Sequence, residues 1–117
     1  MSKYFIKLSY IIICILGFLL SRNIISDDIP VGQLVDFTGP TSSVGKPFGQ
    51  GHIDAIKWIN KNGGINNRKI KVDTVDYSYK APRAVATYKR WKSRLKVITI
   101  IGWGTADTEA LMETIAR

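Results

Sequence analysis

Apolar and polar positions follow two periods along residues 29–117 of this 117-residue chain. Short apolar runs predict two buried strands, over residues 29–37 and 97–101, and alternation of apolar with charged residues predicts another over about residues 70–74. Between and after these runs, apolar residues recur three, four and seven positions apart, which is the spacing of one helix face. The order strand, helix, strand, helix, strand, helix predicts an α/β fold with right-handed βαβ units and a parallel sheet. This is part of a doubly wound fold, βαβαβα.

Each predicted helix has its own apolar stripe. The first is predicted over about residues 47–62, since Pro47 suits a first helical turn. The second begins at Pro82, and the third is capped by Thr105 or Asp107. The three stripes are Phe48, Ala55, Ile56 and Ile59; then Val85, Tyr88, Trp91 and Leu95; then Leu111, Met112 and Ile115.

The segment between the first helix and the second strand carries turn chemistry. Gly63 can take the left-handed conformation that ends a helix, at no steric cost. Asn66 and Asn67 can turn the chain, because asparagine tolerates a positive φ angle. Gly32, inside the first strand, predicts a close approach of another group to the backbone.

Residues 1–26 are predicted to be a signal peptide or a membrane anchor. Lys3 and Lys7 precede an apolar run over residues 8–20. This run matches the roughly 7–15-residue core of a secretory signal and is short of the about 20 residues that a membrane span needs. A cleavage site near Ser26 lacks a small residue three positions earlier, so an uncleaved anchor stays open. The expected location is the periplasm, with inner-membrane anchoring as the alternative.

Charge and composition narrow the class of partner. The net charge is +8, and basic residues cluster over residues 89–96. Nucleic-acid binding is one interpretation, but the export signal argues against it, and the solvated face of a helix is the preferred one. No nucleic-acid partner is therefore expected.

Two loops leave the carboxyl ends of predicted strands, where ligands bind in open α/β sheets. They span residues 38–46 and 102–108. The second combines glycines, hydroxyls and a helix start, whose unpaired N–H groups suit a carboxylate or phosphate. Thr105 adds a hydroxyl and Trp103 an aromatic wall. Alternatively, Thr105 only caps the helix and Trp103 packs on the sheet; both interpretations stay open.

Enzyme, nucleotide and metal chemistry find little support in the sequence. The first strand–helix turn reads Gly39-Pro40-Thr41, without a glycine-rich phosphate fingerprint. His52 is the only histidine. Asp36 and Asp107 follow strands, but two acids do not make a mechanism. We expect no catalytic residue, metal or cofactor.

Four stretches, in order, carry a family resemblance. The chain resembles the start of the periplasmic substrate-binding proteins of branched-chain amino acid ABC transporters, of the leucine-binding type. The likeness covers about residues 29–117. The stretches that match are "DFTGPTSSVG", "GHIDAIKWINKNGGINNRKIKV", "VDYSYKAPRAVATYKR" and "VITIIGWGTADTEAL".

The resemblance implies a function and a set of site residues. It implies a non-catalytic, two-lobed solute-binding protein that closes on an amino acid or small amide and delivers it to an ABC transporter permease. Thr105 matches the hydroxyl that holds the ligand carboxylate. Trp103 and Gly104 precede it, and Ala106 supplies a backbone donor. Val44 matches a position that contacts the ligand side chain, where relatives often have an aromatic residue.

The resemblance also implies that residues 29–117 are the amino-terminal part of the first lobe. Family members are about three times as long, so a truncated or split form is expected, which folds poorly and binds no amino acid usefully when isolated. The alternatives are a ligand-sensing receptor domain of the same fold, a doubly wound enzyme, and a small membrane-anchored protein that binds no ligand.

Overall fold

The computed structural model describes residues 27–116, and the predicted signal or anchor lies outside them. The elements are β1 (Ile29–Val35), α1 (Ser42–Lys61), β2 (Ile70–Asp76), α2 (Ala81–Arg90), β3 (Thr99–Ile101) and α3 (Thr105–Ile115). A π-helical turn, Trp91–Leu95, extends α2. Within residues 27–116, no helix is long and apolar enough to cross a membrane.

The sheet is parallel, and β1 is its central strand. The strand order is β2-β1-β3. Ile29 pairs with Ile70 at one edge of β1, and Val31 pairs with Thr99 at the other. The α/β prediction and the parallel sheet are therefore confirmed. Because β1 has a neighbour on each side, its residues from Val31 onward are buried throughout.

Alternate residues of β1 face two different helix layers. On one side, Leu34 joins the main core with Tyr77, Ala84, Trp91 and Leu111, which come from α2, α3 and their connections. On the other side, Val35 meets Gly49 of α1. The buried amide of Gln33 also faces α1, and its Nε2 donates to the Gly49 carbonyl at 3.2 Å.

Trp91 fixes α2 on the sheet. Its indole ring is fully buried, and a Cβ placed on Gly32 would come within 2.5 Å of it. Its Nε1 donates to Asp73 Oδ2 on β2 at 2.6 Å. The predicted close approach at Gly32 is therefore confirmed, since only glycine leaves room for this ring.

The end of α1 follows the sequence prediction. Gly63 and Gly64 take φ angles of 102° and 80°, and the Gly64 N–H donates to the Ile59 carbonyl. Asn66 and Asn67 both have positive φ. They form a two-residue turn closed by paired hydrogen bonds between the two flanking residues, Ile65 and Arg68.

The predicted start of α1 at Pro47 is wrong, because the helix begins at Ser42. Proline removes one helical hydrogen bond, which would join its nitrogen to the Ser43 carbonyl. Both residues are exposed, so water can satisfy that carbonyl. Gly45, two residues before Pro47, packs directly on the Asp36 backbone, and this tertiary contact supports the added turn.

The third strand and two apolar stripes are corrected in extent. β3 covers Thr99–Ile101 rather than residues 97–101: the chain leaves a left-handed turn at Lys96, and the Ile98 N–H donates to the Pro30 carbonyl just before the strand begins. Leu95, Met112 and Ile115, predicted to face the core, are 43%, 65% and 53% exposed. Ala84, which the sequence stripe left out, is fully buried instead.

Candidate ligand-binding site

The candidate site lies at the carboxyl ends of β1 and β3. These strands are neighbours, yet their following helices lie on opposite faces of the sheet. The chain therefore leaves the sheet in two directions at one point, which is where open α/β sheets bind ligands. The two loops predicted from the sequence, residues 38–46 and 102–108, meet here.

Asp36 organises the first loop. Its buried carboxylate accepts hydrogen bonds from the Gly39 N–H, from the Thr41 N–H at 2.8 Å and from the Thr41 hydroxyl at 2.6 Å. Burial alone raises the pKa of this carboxyl, but the hydrogen bonds from Thr41 and Gly39 outweigh it and lower the pKa. Asp36 is therefore fully engaged in holding the loop.

Asp76 does the same where β2 ends. Its carboxylate accepts from the Phe37 N–H at 3.0 Å, the Thr38 hydroxyl at 2.6 Å and the Ser78 N–H at 3.0 Å. Burial opposes ionisation, yet these hydrogen bonds leave the pKa of Asp76 below its usual value. The two aspartates together fix the first loop against the segment after β2.

Asp107 holds the second loop from inside α3. Its side chain accepts from the backbone N–H groups of Trp103 at 2.9 Å and Gly104 at 2.8 Å, and from the Tyr77 hydroxyl at 2.7 Å. Burial, followed by the hydrogen bond to Asp107, raises the pKa of the Tyr77 phenol. Asp107 therefore caps the helix, while the predicted cap at Thr105 is wrong: Gly104 takes the N-cap position.

Trp103 joins the two loops. Its Nε1 donates to the Thr41 hydroxyl at 2.8 Å. Its ring lies against Phe48 of α1, with ring centroids 4.8 Å apart, and Phe48 in turn meets His52 edge-on at 4.2 Å. The indole also packs against the main core. The structure therefore gives Trp103 a packing role at the junction, and its contact with a ligand stays a prediction.

The other predicted site residues lie around this junction. Thr105 is exposed and is the first residue of α3, with Ala106 next to it and half-buried. A Cβ on Gly104 would come within 3.0 Å of the Tyr79 ring, so the backbone approaches that ring closely. Val44 is 62% exposed in the first turn of α1. Among the described residues, no hydrogen bond or ring contact joins Val44 to the second loop.

The donors at the start of α3 are suited to an anion. A helix offers no acceptor to the N–H groups of its first turn, which includes Thr105 and Ala106. These groups carry the positive end of the helix dipole. Thr105 is the first helical residue and not the N-cap, so its hydroxyl lies outside the cap. In the part of the chain that is described, no cluster of three metal-ligating side chains exists.

Sequence reasoning missed the contacts that Thr41 and Phe48 make in this site. Thr41 lies in the first predicted loop, but no role was assigned to it, and Phe48 was predicted only as a residue of the apolar stripe of α1. The sequence does contain one signal for them: both stand close after the first strand, in the loop and helix start that a parallel sheet brings to its carboxyl edge. Their contact with Trp103 spans 62 positions for the hydrogen bond, and no local pattern indicates it.

Comparisons with known proteins agree with this architecture. A family model described as periplasmic binding protein matches residues 28–117. A Pseudomonas aeruginosa protein named "Amino acid binding protein" is 33% identical over 75 residues, which are 64% of this chain and 20% of that protein.

Two solved structures are similar. An ABC transporter substrate-binding protein from Aeropyrum pernix is 43% identical with a TM-score of 0.71, over 77% of this chain and 24% of that one. A fatty acid ABC transporter substrate-binding protein from Thermomonospora curvata is 26% identical with a TM-score of 0.69, over 76% and 23%. The chain therefore spans about a quarter of the length of these relatives.

Proposed function

The chain belongs to the periplasmic binding protein family, and on that premise we propose that residues 29–117 form the amino-terminal part of the first lobe of a solute-binding protein. Its ligand is an amino acid or small amide, which it delivers to the membrane permease of an ABC transporter. Its location is the periplasm. The first two relatives reported above, which are an amino acid binding protein and a transporter substrate-binding protein, support this assignment.

The carboxylate of the ligand would bind at the start of α3. The observation that carries this proposal is the arrangement around Asp107, which engages the N–H groups of Trp103 and Gly104 and leaves the next donors, at Thr105 and Ala106, to an external anion. A hydroxyl that the helix does not use for capping stands beside them. Preformed donors of this kind bind a carboxylate without reorganisation of the loop.

The apolar part of the ligand would lie toward Val44 and Trp103. Val44 is exposed one helical turn before Phe48, so both residues lie on the same side of α1. Phe48 contacts Trp103, which extends this apolar side to the second loop. The groups that recognise the ligand's ammonium, and the second lobe that closes on it, would come from the part of the relatives that this chain does not cover.

A chimera tests the proposal in a complete binding protein. Residues 28–116 replace the matching quarter of the Aeropyrum pernix protein, and isothermal titration screens amino acids, amides and fatty acids. We expect an amino acid or amide to bind. Thr105→Ala should weaken binding by roughly tenfold or more, because a hydrogen bond to a charged group contributes about 1.5–3 kcal/mol.

Thr108→Ala is the matched control, since Thr108 is an exposed threonine one turn further along α3. It should leave the dissociation constant unchanged. Binding of fatty acids alone would replace the proposed ligand class by the one named for the Thermomonospora curvata relative. A chimera that unfolds cooperatively and binds none of the three classes would contradict the proposal, as would equal effects of the two threonine variants.

A further inference from the structure

Cations collect at the amino edge of the sheet, which is the end opposite the candidate ligand site. Helices that follow parallel strands run back toward the start of the strands, so α1 and α2 both end here. Six basic side chains at this end are exposed, and none of them forms an ion pair with a described residue. They are Lys61, Lys69, Lys71, Lys92, Arg94 and Lys96; we call this set the amino-edge cations.

Specific contacts bring the amino-edge cations to one end of the molecule. The Asn60 side chain, next to Lys61, exchanges two hydrogen bonds of 2.8 Å with the backbone of Ile70, the first residue of β2. This places the end of α1 beside Lys69 and Lys71. A groove of about 420 Å³ is lined by Lys71 on β2 and by Arg94 after α2. The cations of three successive segments therefore surround the start of the sheet.

Few acids balance these charges. Asp73 is engaged by the Arg90 guanidinium and by the Trp91 indole, each at 2.6 Å. Asp27, Asp28 and Glu113 are exposed toward the same end, but they are fewer than the cations. The three aspartates that are bonded internally, Asp36, Asp76 and Asp107, all lie at or beyond the carboxyl ends of strands. The surface at the amino edge is therefore net positive.

Large apolar side chains are exposed among the cations. Trp58, in the last turn of α1, is 67% exposed, although tryptophan is usually well buried. Ile65 in the asparagine turn is 47% exposed, and Leu95, which lines the groove with Lys71 and Arg94, is 43% exposed. Cations interleaved with tryptophan and aliphatic residues are typical of surfaces that lie at the headgroup level of a bilayer.

We propose that the amino edge of the sheet binds the surface of an anionic lipid bilayer. The amino-edge cations attract the phosphate headgroups, while Trp58 and Leu95 enter the interface. The path of the chain supports this occupant: the apolar run of residues 8–20 joins the described part at Asp27, immediately before β1 and at the same edge. The Arg68 Nε fixes this entry by donating to the Asp27 carbonyl at 2.7 Å. Bilayer binding would leave the candidate ligand site, at the opposite edge, free.

The test uses the whole chain in vesicles, so that the apolar leader is present in every sample. Vesicles of phosphatidylcholine alone are compared with vesicles containing phosphatidylglycerol, both with brominated acyl chains that quench nearby tryptophan. The difference in fluorescence between the original chain and the Trp58→Phe variant gives the part of the emission that comes from Trp58. We expect more quenching of Trp58 on the anionic vesicles. In 1 M salt, where the Debye length is about 3 Å, the excess should be lost.

Two triple variants locate the effect. K92Q/R94Q/K96Q removes three amino-edge cations and should reduce the excess quenching by about half or more, since each basic residue near an anionic surface adds to the attraction. K46Q/K80Q/R83Q removes three exposed cations near the starts of α1 and α2, at the opposite edge, and should leave the excess unchanged.

Three results would overturn the proposal. The first is equal quenching on neutral and anionic vesicles. The second is an equal effect of the two triple variants, which is also what an unfolded chain would give, since only net charge would then matter. The third is that K92Q/R94Q/K96Q weakens retention of a short RNA duplex and leaves the quenching unchanged, which would assign the cations to nucleic acid.

Discussion

Charged residues at the two edges of the sheet differ in burial and in the partners they contact. At the carboxyl edge, Asp36 and Asp107 are buried, and every described partner of their carboxylates is a backbone N–H or a hydroxyl of a neighbouring loop. At the amino edge, exposed cations outnumber the exposed acids, and the ion pair that the described residues form there, between Arg90 and Asp73, is half exposed. The buried aspartates therefore hold loops in place at the carboxyl edge, whereas the cations of the amino edge contact solvent. Substitutions at the carboxyl edge should lower the free energy of unfolding far more than substitutions at the amino edge.

The largest expected effect is at Asp36. Asp36→Ala removes the acceptor of three hydrogen bonds and leaves loop donors without a partner, so the free energy of unfolding should fall by roughly 3–5 kcal/mol. Urea denaturation of the chimera with the Aeropyrum pernix protein, followed by circular dichroism, measures this loss, and the same chimera serves for the other stability variants. Asp54→Ala, which removes an exposed acid paired with Lys57, is the control and should cost less than about 0.5 kcal/mol. Similar midpoints for the two variants would refute the contrast between the edges.

Two glycines of α1 give the next largest difference. A Cβ on Gly45 would overlap the Asp36 carbonyl oxygen, so Gly45→Ala should destabilise by about 1–3 kcal/mol or more. Gly51 has open space around its Cα, so Gly51→Ala should stabilise the helix by about 1 kcal/mol. Thermal unfolding of the two variants should shift in opposite directions. A shift of the same sign in both would show that helix propensity, rather than contact with β1, governs this segment.

Acid should weaken the carboxyl edge first. The folded-state pKa values of Asp36 and Asp76 lie below their usual value, so both carboxylates stabilise the fold while they are ionised. Stability should be constant above about pH 5 and should fall as the pH drops through 4, because protons then bind the unfolded state more tightly. Urea midpoints across this range measure the slope. Asp76→Asn should flatten it; an unchanged slope would exclude Asp76 as a source.

The smallest effect is expected at the amino edge. Arg90→Gln removes the ion pair with Asp73, whose side chains are 46% and 38% exposed, so the free energy of unfolding should change by less than about 1 kcal/mol. Trp91 keeps its own hydrogen bond to Asp73. Lys89→Gln is the control for loss of one charge from the same helix. A loss at Arg90 as large as that at Asp36 would remove the distinction between the edges.

Local chemistry was sufficient to predict much of the fold. Gly63, Asn66 and Asn67 determine a helix end and a turn through their own φ preferences, and the structure follows them. The alternation of predicted strands and helices along the sequence was also sufficient to predict the parallel sheet. The start of α1 was mispredicted because proline was taken as a first-turn residue, while the packing of Gly45 on Asp36 stabilises an extra turn before it. Contacts of this kind are not encoded in local spacing.

The candidate site was less predictable than the fold. Spacing located both loops, and Asp107 was recognised as a possible cap. The sequence did not show that Asp107 caps from within the helix and leaves the Thr105 hydroxyl outside the cap. Nor did it show that Trp103 reaches Thr41 and Phe48, since those contacts depend on the strand order β2-β1-β3.

The central position of β1 has a consequence in time. It is the first of the described elements to be synthesised, yet Ile29 can pair with Ile70, and Val31 with Thr99, only after those partners have been made. Contacts so distant along the chain slow folding, because the intervening segment must first be ordered. Until Ile101 has been synthesised, the edge of β1 that pairs with β3 has no complete partner strand. A nascent chain of this sequence therefore keeps one edge of its most buried strand available to chaperones until most of the described residues have been made.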